Sequence, residues 1–176
     1  MIVHEDLIAL AERIATLDAR RPKQANLRRA LSTTYYAVFH FLVDEACRVQ
    51  FGAQHADKAY RHALGRAFAH TVMKEACRRF GAGTLKYSVI RGLPRDANGN
   101  YPIPTEIQDI AILFTDLQEN RYLADYDFSK QFQKSEVLKL IEEARARIED
   151  FQGMPASNER RFFLACLWAW KELANR

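Results

Sequence analysis

Glycine and proline are scarce, seven and five among 176 residues. A chain this poor in both interrupts its backbone seldom, which favours helices over the turn-dense architectures of all-β proteins. Phosphate-cradling glycine loops are missing too. There is no GxGxxG, no Walker-type loop and no GxSxG elbow, so the commonest nucleotide-binding and serine-hydrolase signatures are excluded. The longest apolar runs, Tyr35 to Val43 and Phe162 to Trp170, are about half of the ~18 residues that a membrane span requires. The opening MIVHEDL lacks a basic stretch followed by an apolar core, so no secretion signal is expected. These absences predict a cytoplasmic protein without a membrane association. The three cysteines, Cys47, Cys77 and Cys166, are odd in number, far apart and set among apolar residues. They are expected to be free core thiols, neither disulfides nor metal ligands.

What is present suits one helical domain spanning 1–176, long enough to bury a full core and short for two. Hydrophobic residues at 48% and charged ones at 27% match an ordinary globular composition. The net charge of +4 is unevenly spread. From Asp57 to Asp96 there are nine Lys or Arg against three acids, a balance of +6, while Tyr101 to Phe128 holds six acids and one Arg, a balance of −5. Such blocks predict either charged helix faces turned to each other and to water, or a basic patch for phosphates.

Apolar periodicity divides the chain into six expected helices of an up-and-down bundle. Leu7, Leu10, Ile14 and Leu17 mark the first, about 4–19, broken by Arg20-Arg21-Pro22. The second, about 23–51, carries one stripe of Leu27, Leu31, Thr34, Val38, Leu42 and Val49 and another of Tyr36, Phe39, Val43 and Ala46. From Tyr35 to Val43 its one strongly polar residue is His40, so this helix is expected to run through the middle of the fold with His40 in the core. Gly52 suits its end. A third, about 57–80, places Tyr60, Leu64, Phe68, Val72 and Cys77 on one side, Gly65 permitting a close helix approach. Residues 82–103 read as a long loop with a short hairpin at Asn98-Gly99. The fourth helix starts at a Thr105/Gln108 capping box, carries Ile107, Ile110, Ala111, Phe114 and Leu117 inward, and ends near Asp125. The fifth buries Val137, Leu140, Ile141, Ala144, Ile148 and Phe151 and stops at Gly153. An additional C-terminal helix, about 157–174, is so rich in apolar residues that it requires a second contact, within the fold or with another subunit.

No histidine set resembles a metal site. His55, His62 and His70 share a region but have no HExxH or cysteine pair beside them, so neither metal nor cofactor is expected. The notable stretch is Glu119-Asn-Arg121-Tyr-Leu-Ala-Asp125-Tyr126-Asp127, where one arginine stands among acids and aromatics. Arg121 paired with Asp125 four residues on is one reading; a guanidinium fork clamping phosphate oxygens is the other, and spacing leaves both open.

Three segments carry a family resemblance. Arg28-Arg-Ala-Leu-Ser-Thr-Thr-Tyr35-Tyr36-Ala-Val-Phe39-His40 resembles the second-helix signature of HEPN domains. His62-Ala-Leu-Gly-Arg-Ala-Phe68 resembles their histidine-to-phenylalanine stretch, and Arg121-Tyr-Leu-Ala-Asp125-Tyr126 is similar to their arginine-then-ADY element. The matches fall in the family's order over about residues 27–127 and leave the last helix uncovered. The resemblance implies a helical bundle that forms a homodimer with its arginine elements facing each other. It also implies relatives that are metal-independent ribonucleases or toxins paired with a minimal nucleotidyltransferase antitoxin. In nucleolytic members a histidine follows the arginine after four to six residues. Here those positions hold Tyr126, Asp127 and Phe128. Tyrosine and aspartate have reference pKa values near ~10 and ~4, neither poised for proton transfer at neutral pH. The expectation is a HEPN-like dimer that binds RNA or a nucleotide through Arg121, Asp125, Tyr126 and His62 without efficient catalysis. Two alternatives stand beside it. One is a ribonuclease toxin using Arg121 with Tyr126 or with a histidine from elsewhere, such as His62. The other is an interaction scaffold docking a partner on Trp168 and Phe162.

Overall fold

The protein is all-helical in a computed structural model that describes residues 3–18 and 21–175. Ala19, the expected end of the first helix, and Arg20 lie outside the described residues, as do Met1 and Ile2. Eight α-helices and one 3-10 turn occur among the described residues, and no strand. In order these are α1 (Val3–Thr16), α2 (Gln24–Phe51), the 3-10 turn (His55–Asp57), α3 (Lys58–Gly65), α4 (His70–Gly81), α5 (Tyr87–Ile90), α6 (Thr105–Tyr126), α7 (Lys134–Gly153) and α8 (Asn158–Ala174). No described helix is long and apolar enough to cross a membrane.

Eight helices stand where six were expected, for two local reasons. The expected third helix is two. Its ladder stops after Gly65, with the Ala67 amide folded back on Leu64 O at 2.8 Å, and restarts where Ala69 O accepts from both Val72 and Met73. The break lets Val72, Met73, Ala76, Cys77 and Phe80 share one buried face of α4, while α3 buries no residue at all. Tyr60, expected inside, is 62% exposed. Gly65 is not the close-approach glycine either: a Cβ there would meet Val43 Cγ1 at an ordinary 3.6 Å. That role belongs to Gly81, where a Cβ would sit 2.9 Å from Ile112 Cγ1 and 3.3 Å from the Ile112 backbone nitrogen. The extra helix, α5, lies within the long loop and is anchored by buried Val89 and Ile90. At Asn98-Gly99 a tight turn forms on Asp96, whose Oδ1 accepts from the Asn98 and Asn100 amides, in place of a hairpin.

Packing divides the chain into two compact units, Met1–Phe41 with Leu113–Gln152, and Leu42–Ile112 with Gly153–Arg176. In the first, α1 presents His4, Ile8, Ala11 and Ala15 to the core. The expected leucine stripe is rotated by one position, leaving Leu10 and Leu17 exposed. Ala11 and Ala15 are small enough to bring the helix axis close, and the leucines then flank the contact. Phe41 stands edge-on to both His4 and Phe151, at 5.0 and 5.8 Å between centroids. α2 and α6 run antiparallel here, because Arg28 meets residues 123 and 124 while Tyr35 packs on Phe114 at 5.5 Å. The expected α6 stripe, Ile107, Ile110, Ala111, Phe114 and Leu117, is fully buried. Its start differs from the capping box: Thr105 is already helical, Pro104 O accepts the first amides, and the Gln108 side chain donates to Ile103 O at 3.2 Å.

In the second unit α8 begins at Ser157, whose hydroxyl accepts from the Arg160 amide. Phe80 of α4 meets Phe163 and Trp170 of α8 at 5.0 and 6.4 Å, and Phe162 packs on Tyr101 at 5.5 Å. The apolar surface of α8 thus finds its second contact inside the unit, with Trp168 left 38% exposed. Arg160 donates to Glu45 Oε2 at 2.7 Å and to Met154 O at 2.9 Å, a pair with side chains only 14% and 19% exposed. Losing one partner of so sheltered a pair strands a charge and costs more than the pair contributes.

The three cysteines are buried and free. Burial pushes the Cys47 thiol up to about 11 and Cys166 to about 12, and raises Cys77 as well. Burial, then the nearby Glu159 carboxylate, pushes Tyr101 to about 12. In the unfolded chain the same thiols ionise near their ordinary value of 9.0 and the phenol near 10.0. Stability contributed by the neutral groups is therefore complete below pH 9 and is lost as the pH climbs towards 12. The urea midpoint should fall steadily between pH 9 and 11; a flat midpoint over that range would contradict the burial of these groups.

Candidate functional site

The last carbonyls of α6 run short of helical donors: the Asp127 amide reaches Leu123 O at 3.0 Å, and further donors must come from elsewhere. Arg28, in the second turn of α2, supplies them. Its Nη1 donates to Leu123 O and Ala124 O at 3.3 and 2.8 Å, and its Nη2 to Asp127 O at 3.0 Å and to Lys130 O. A cation near the start of a helix opposes that helix's own dipole. Because α6 runs the other way, the same place is the negative end of α6, where a cation is favoured. The rings of Phe132 and Phe128 lie 5.4 and 5.9 Å from the guanidinium carbon. One turn earlier, Gln24 grips the Phe132 backbone from both sides, donating to its carbonyl at 2.8 Å and accepting from its amide at 2.9 Å. The loop after α6 is thus strapped to the first turns of α2.

One turn back along α6 from this strap lies Arg121. Its Nε donates to Asp125 Oδ2 at 3.1 Å, and its guanidinium carbon sits 5.2 Å from the centroid of the Tyr35 ring and 5.0 Å from that of Tyr36. Tyr35 is fully buried, and its ring meets Tyr36 at 5.4 Å and 64°. Adjacent residues on a helix diverge by roughly 100°, so tandem tyrosines open a cleft that holds one planar cation. Cation–ring contacts of this kind stabilise by about 1–2 kcal/mol each when partly desolvated. Burial disfavours the charge of Arg121, but Tyr36, the Asp125 hydrogen bond and Tyr35 outweigh it and raise its pKa, so it is a permanent cation. Its Nη1 and Nη2 donate to no described residue, and its side chain is 22% exposed. The site therefore holds an oriented guanidinium with one edge used and donors to spare, an arrangement suited to phosphate oxygens.

Of the residues expected to act together, Arg121 and Asp125 are joined. Tyr126 is 65% exposed and packs on Tyr122 at 5.3 Å, and among the described residues Arg121 makes its hydrogen bond and its cation–ring contacts to Asp125, Tyr35 and Tyr36 instead. His62 is exposed on α3 in the second unit. Asp127 is occupied locally: its Oδ1 accepts from the Ser129 hydroxyl at 2.6 Å and from the Ser129 and Lys130 amides, which holds its carboxyl below the usual range. The described residues contain no group of three or more His, Cys, Asp or Glu fit to hold a metal ion.

His40 corrects the expectation of a core histidine. It is exposed, because the stripe of α2 bearing Tyr36, Phe39 and Val43 is only half-covered. Its ring stacks on Tyr36 at 6.3 Å and 29° and stands edge-on to Phe39 at 5.5 Å. One side of the imidazole is thereby dried, which lowers its pKa. Arg121, Tyr36 and His40 form a continuous row that apolar periodicity alone concealed. The Arg28 strap was equally hidden, although a basic residue set against its own helix dipole was a signal that a partner must lie opposite.

Replacing Arg28 by Ala should free the 123–132 backbone, raising amide hydrogen exchange there and lowering stability by about 3 kcal/mol. Lys at this position, lacking the planar fork, should restore less than half. Exchange unchanged in the Ala variant would mean that the strap does not hold α6. Comparisons with family models, with curated proteins and with solved structures each found no match to this chain.

Proposed function

We propose that the protein is a HEPN-like helical homodimer that binds RNA or a nucleotide phosphate at Arg121. The carrying observation is the posture of that side chain: Nε fixed by Asp125, the cationic carbon cradled by Tyr35 and Tyr36, and the two Nη groups without a described acceptor. The motif order of the second-helix signature, the histidine-to-phenylalanine stretch and the arginine element supports the family reading, as does the antiparallel pairing of the two helices that bear the first and last of these. Exposed Tyr122, Tyr126 and Phe128, at 64%, 65% and 83%, give the end of α6 an apolar surface suited to a second copy, which puts Arg121 beside the dimer contact. A minimal nucleotidyltransferase belongs to this reading as the partner protein.

Positions 126–128 argue for binding over cutting. Two are exposed aromatic rings and the third is a carboxylate committed to its own turn. Fluorescence anisotropy with an RNA oligonucleotide should show salt-sensitive binding that Arg121→Ala weakens roughly tenfold, with a log K against log[salt] slope flatter by about 0.7, one phosphate contact on a single strand. Arg121→Lys should fall between, since an ammonium keeps the charge but loses the fork. Unchanged affinity in the Ala variant sinks the assignment of Arg121.

A second reading, ribonuclease action, is favoured by His40 alone. An exposed imidazole on the ring that backs Arg121 is placed to take a proton from a ribose 2′-hydroxyl while the guanidinium steadies the charge at phosphorus. Under this reading purified protein cleaves RNA in the presence of a chelator, and both His40→Ala and Arg121→Ala abolish cleavage. Cleavage that survives both substitutions belongs to a contaminant, and no cleavage at all leaves binding as the function.

A further inference from the structure

In the second unit the segment between α4 and α6, together with the first turn of α8, borders a cavity of about 640 Å³. That volume falls within the ~300–1,000 Å³ range of small-molecule sites. Two carboxylates line it, Asp96 and Glu159, and among the described residues no Lys or Arg does. The cation beside each acid in sequence is committed elsewhere. Arg95 stands 5.2 Å from the centroid of the Tyr87 ring and donates to Gly99 O at 3.5 Å, while Arg160 is held by Glu45 and Met154 O. Glu159 makes no hydrogen bond or ion pair with a described residue. In a chain of net charge +4, a cavity whose charged lining is wholly acidic is a local reversal that draws cations.

Tyr101 supplies a second, independent sign of a ligand. It is only 9% exposed, yet its hydroxyl bonds to no described residue and is not sealed from solvent. Its ring is packed on Phe162 at 5.5 Å, and the cavity it lines is where the phenol opens. Burial, and then the Glu159 carboxylate, push this phenol up to about 12, so it stays a neutral hydroxyl. A tyrosine buried to this degree ordinarily has a hydrogen-bond partner. The wall around it is already shaped: Asp96 Oδ1 accepts from the Asn98 and Asn100 amides at 2.9 and 2.8 Å, and Gln108 Nε2 donates to Ile103 O at 3.2 Å between Pro102 and Pro104. A ligand entering a preformed wall loses little to ordering it.

The chemistry of the lining selects the occupant. A calcium ion needs six to eight oxygens at ~2.3–2.6 Å, a far smaller cage, and the described residues hold no group of three or more His, Cys, Asp or Glu fit for a metal. Carboxylates beside an aromatic ring and proline walls suit an ammonium on a hydrocarbon stem, the head facing the acids and the stem the apolar wall. We propose that this cavity binds a small aliphatic amine, its cationic charge set against Glu159 and Asp96, one N–H donating to the Tyr101 hydroxyl, and its chain lying on Pro102, Ile103 and Pro104. The site belongs to the unit that does not contain Arg121 and stands independently of the phosphate reading.

Calorimetry on the whole protein tests this with 1,5-diaminopentane, with 1,5-pentanediol as its uncharged counterpart and with calcium chloride as the metal control. Expected are saturable binding of the diamine, none of the diol, and a roughly tenfold loss in Glu159→Gln and in Asp96→Asn, the latter keeping the oxygen that accepts the turn amides. Tyr101→Phe, which keeps the ring, should lose about threefold. A circular-dichroism melt of Glu159→Gln should match the parent, because the carboxylate has no partner to lose. No diamine binding by the parent overturns the site, as does parental affinity in both acid variants. Calcium that displaces the diamine and itself requires Glu159 makes this a metal site and overturns the amine. An equal loss in Glu106→Gln, an acid of the same region that does not line the cavity, reduces the binding to general attraction by acidic surface and overturns it too.

Discussion

Arg28 is the side chain on which the candidate site depends. It closes the end of α6, orders the loop to Phe132 and sets the register between α2 and α6 in one stroke, because a single guanidinium reaches four carbonyls, of which only Leu123 O and Asp127 O also accept from a backbone amide outside the helix. Charged hydrogen bonds of this kind contribute about 1.5–3 kcal/mol each in favourable settings. Only the antiparallel pairing makes this economical, for it lets a cation that is badly placed in its own helix be well placed in the next one.

Everything around Arg121 inherits that arrangement. Asp125 and the two tyrosines keep the guanidinium from collapsing onto a wider set of acceptors, and so leave it available. The same neighbours limit its strength: the Asp125 carboxylate cancels its charge at close range, so a phosphate gains more from geometry and hydrogen bonds than from net attraction. A balance of −5 over Tyr101 to Phe128 pulls in the same direction.

Much of the helical architecture was legible in the sequence. The inward faces of α6, α7 and α8 and the stops at Gly52 and Gly153 follow from spacing and glycine chemistry, since wide apolar stripes leave little choice of which face is buried. Where stripes were thin or doubled, spacing misled. In α1 two adjacent faces both carry apolar residues, and close packing on Ala11 and Ala15 decided in favour of the smaller ones. In the 57–80 stretch the apolar phase drifts, and the chain resolved the drift by breaking. His40 was read as buried because its neighbours in sequence are apolar, although Tyr36, Phe39 and Val43 around it are half-covered in space. The pairing of Arg121 with Asp125 was visible as an i,i+4 spacing. The tyrosine cradle was not, since it needs the register of two helices almost ninety residues apart in the chain.

The tandem tyrosines act as a vernier for the two helices they join. Sliding α6 by one residue would swing its side chains through about 100° and carry the guanidinium out of the angle between the rings. Sliding it by a whole turn would bring Leu117 or Asp125 to a notch shaped for a flat cation. The ring pair thus admits one alignment and rejects its neighbours, so the group that would recognise a ligand is also the tooth that keeps the helices in gear.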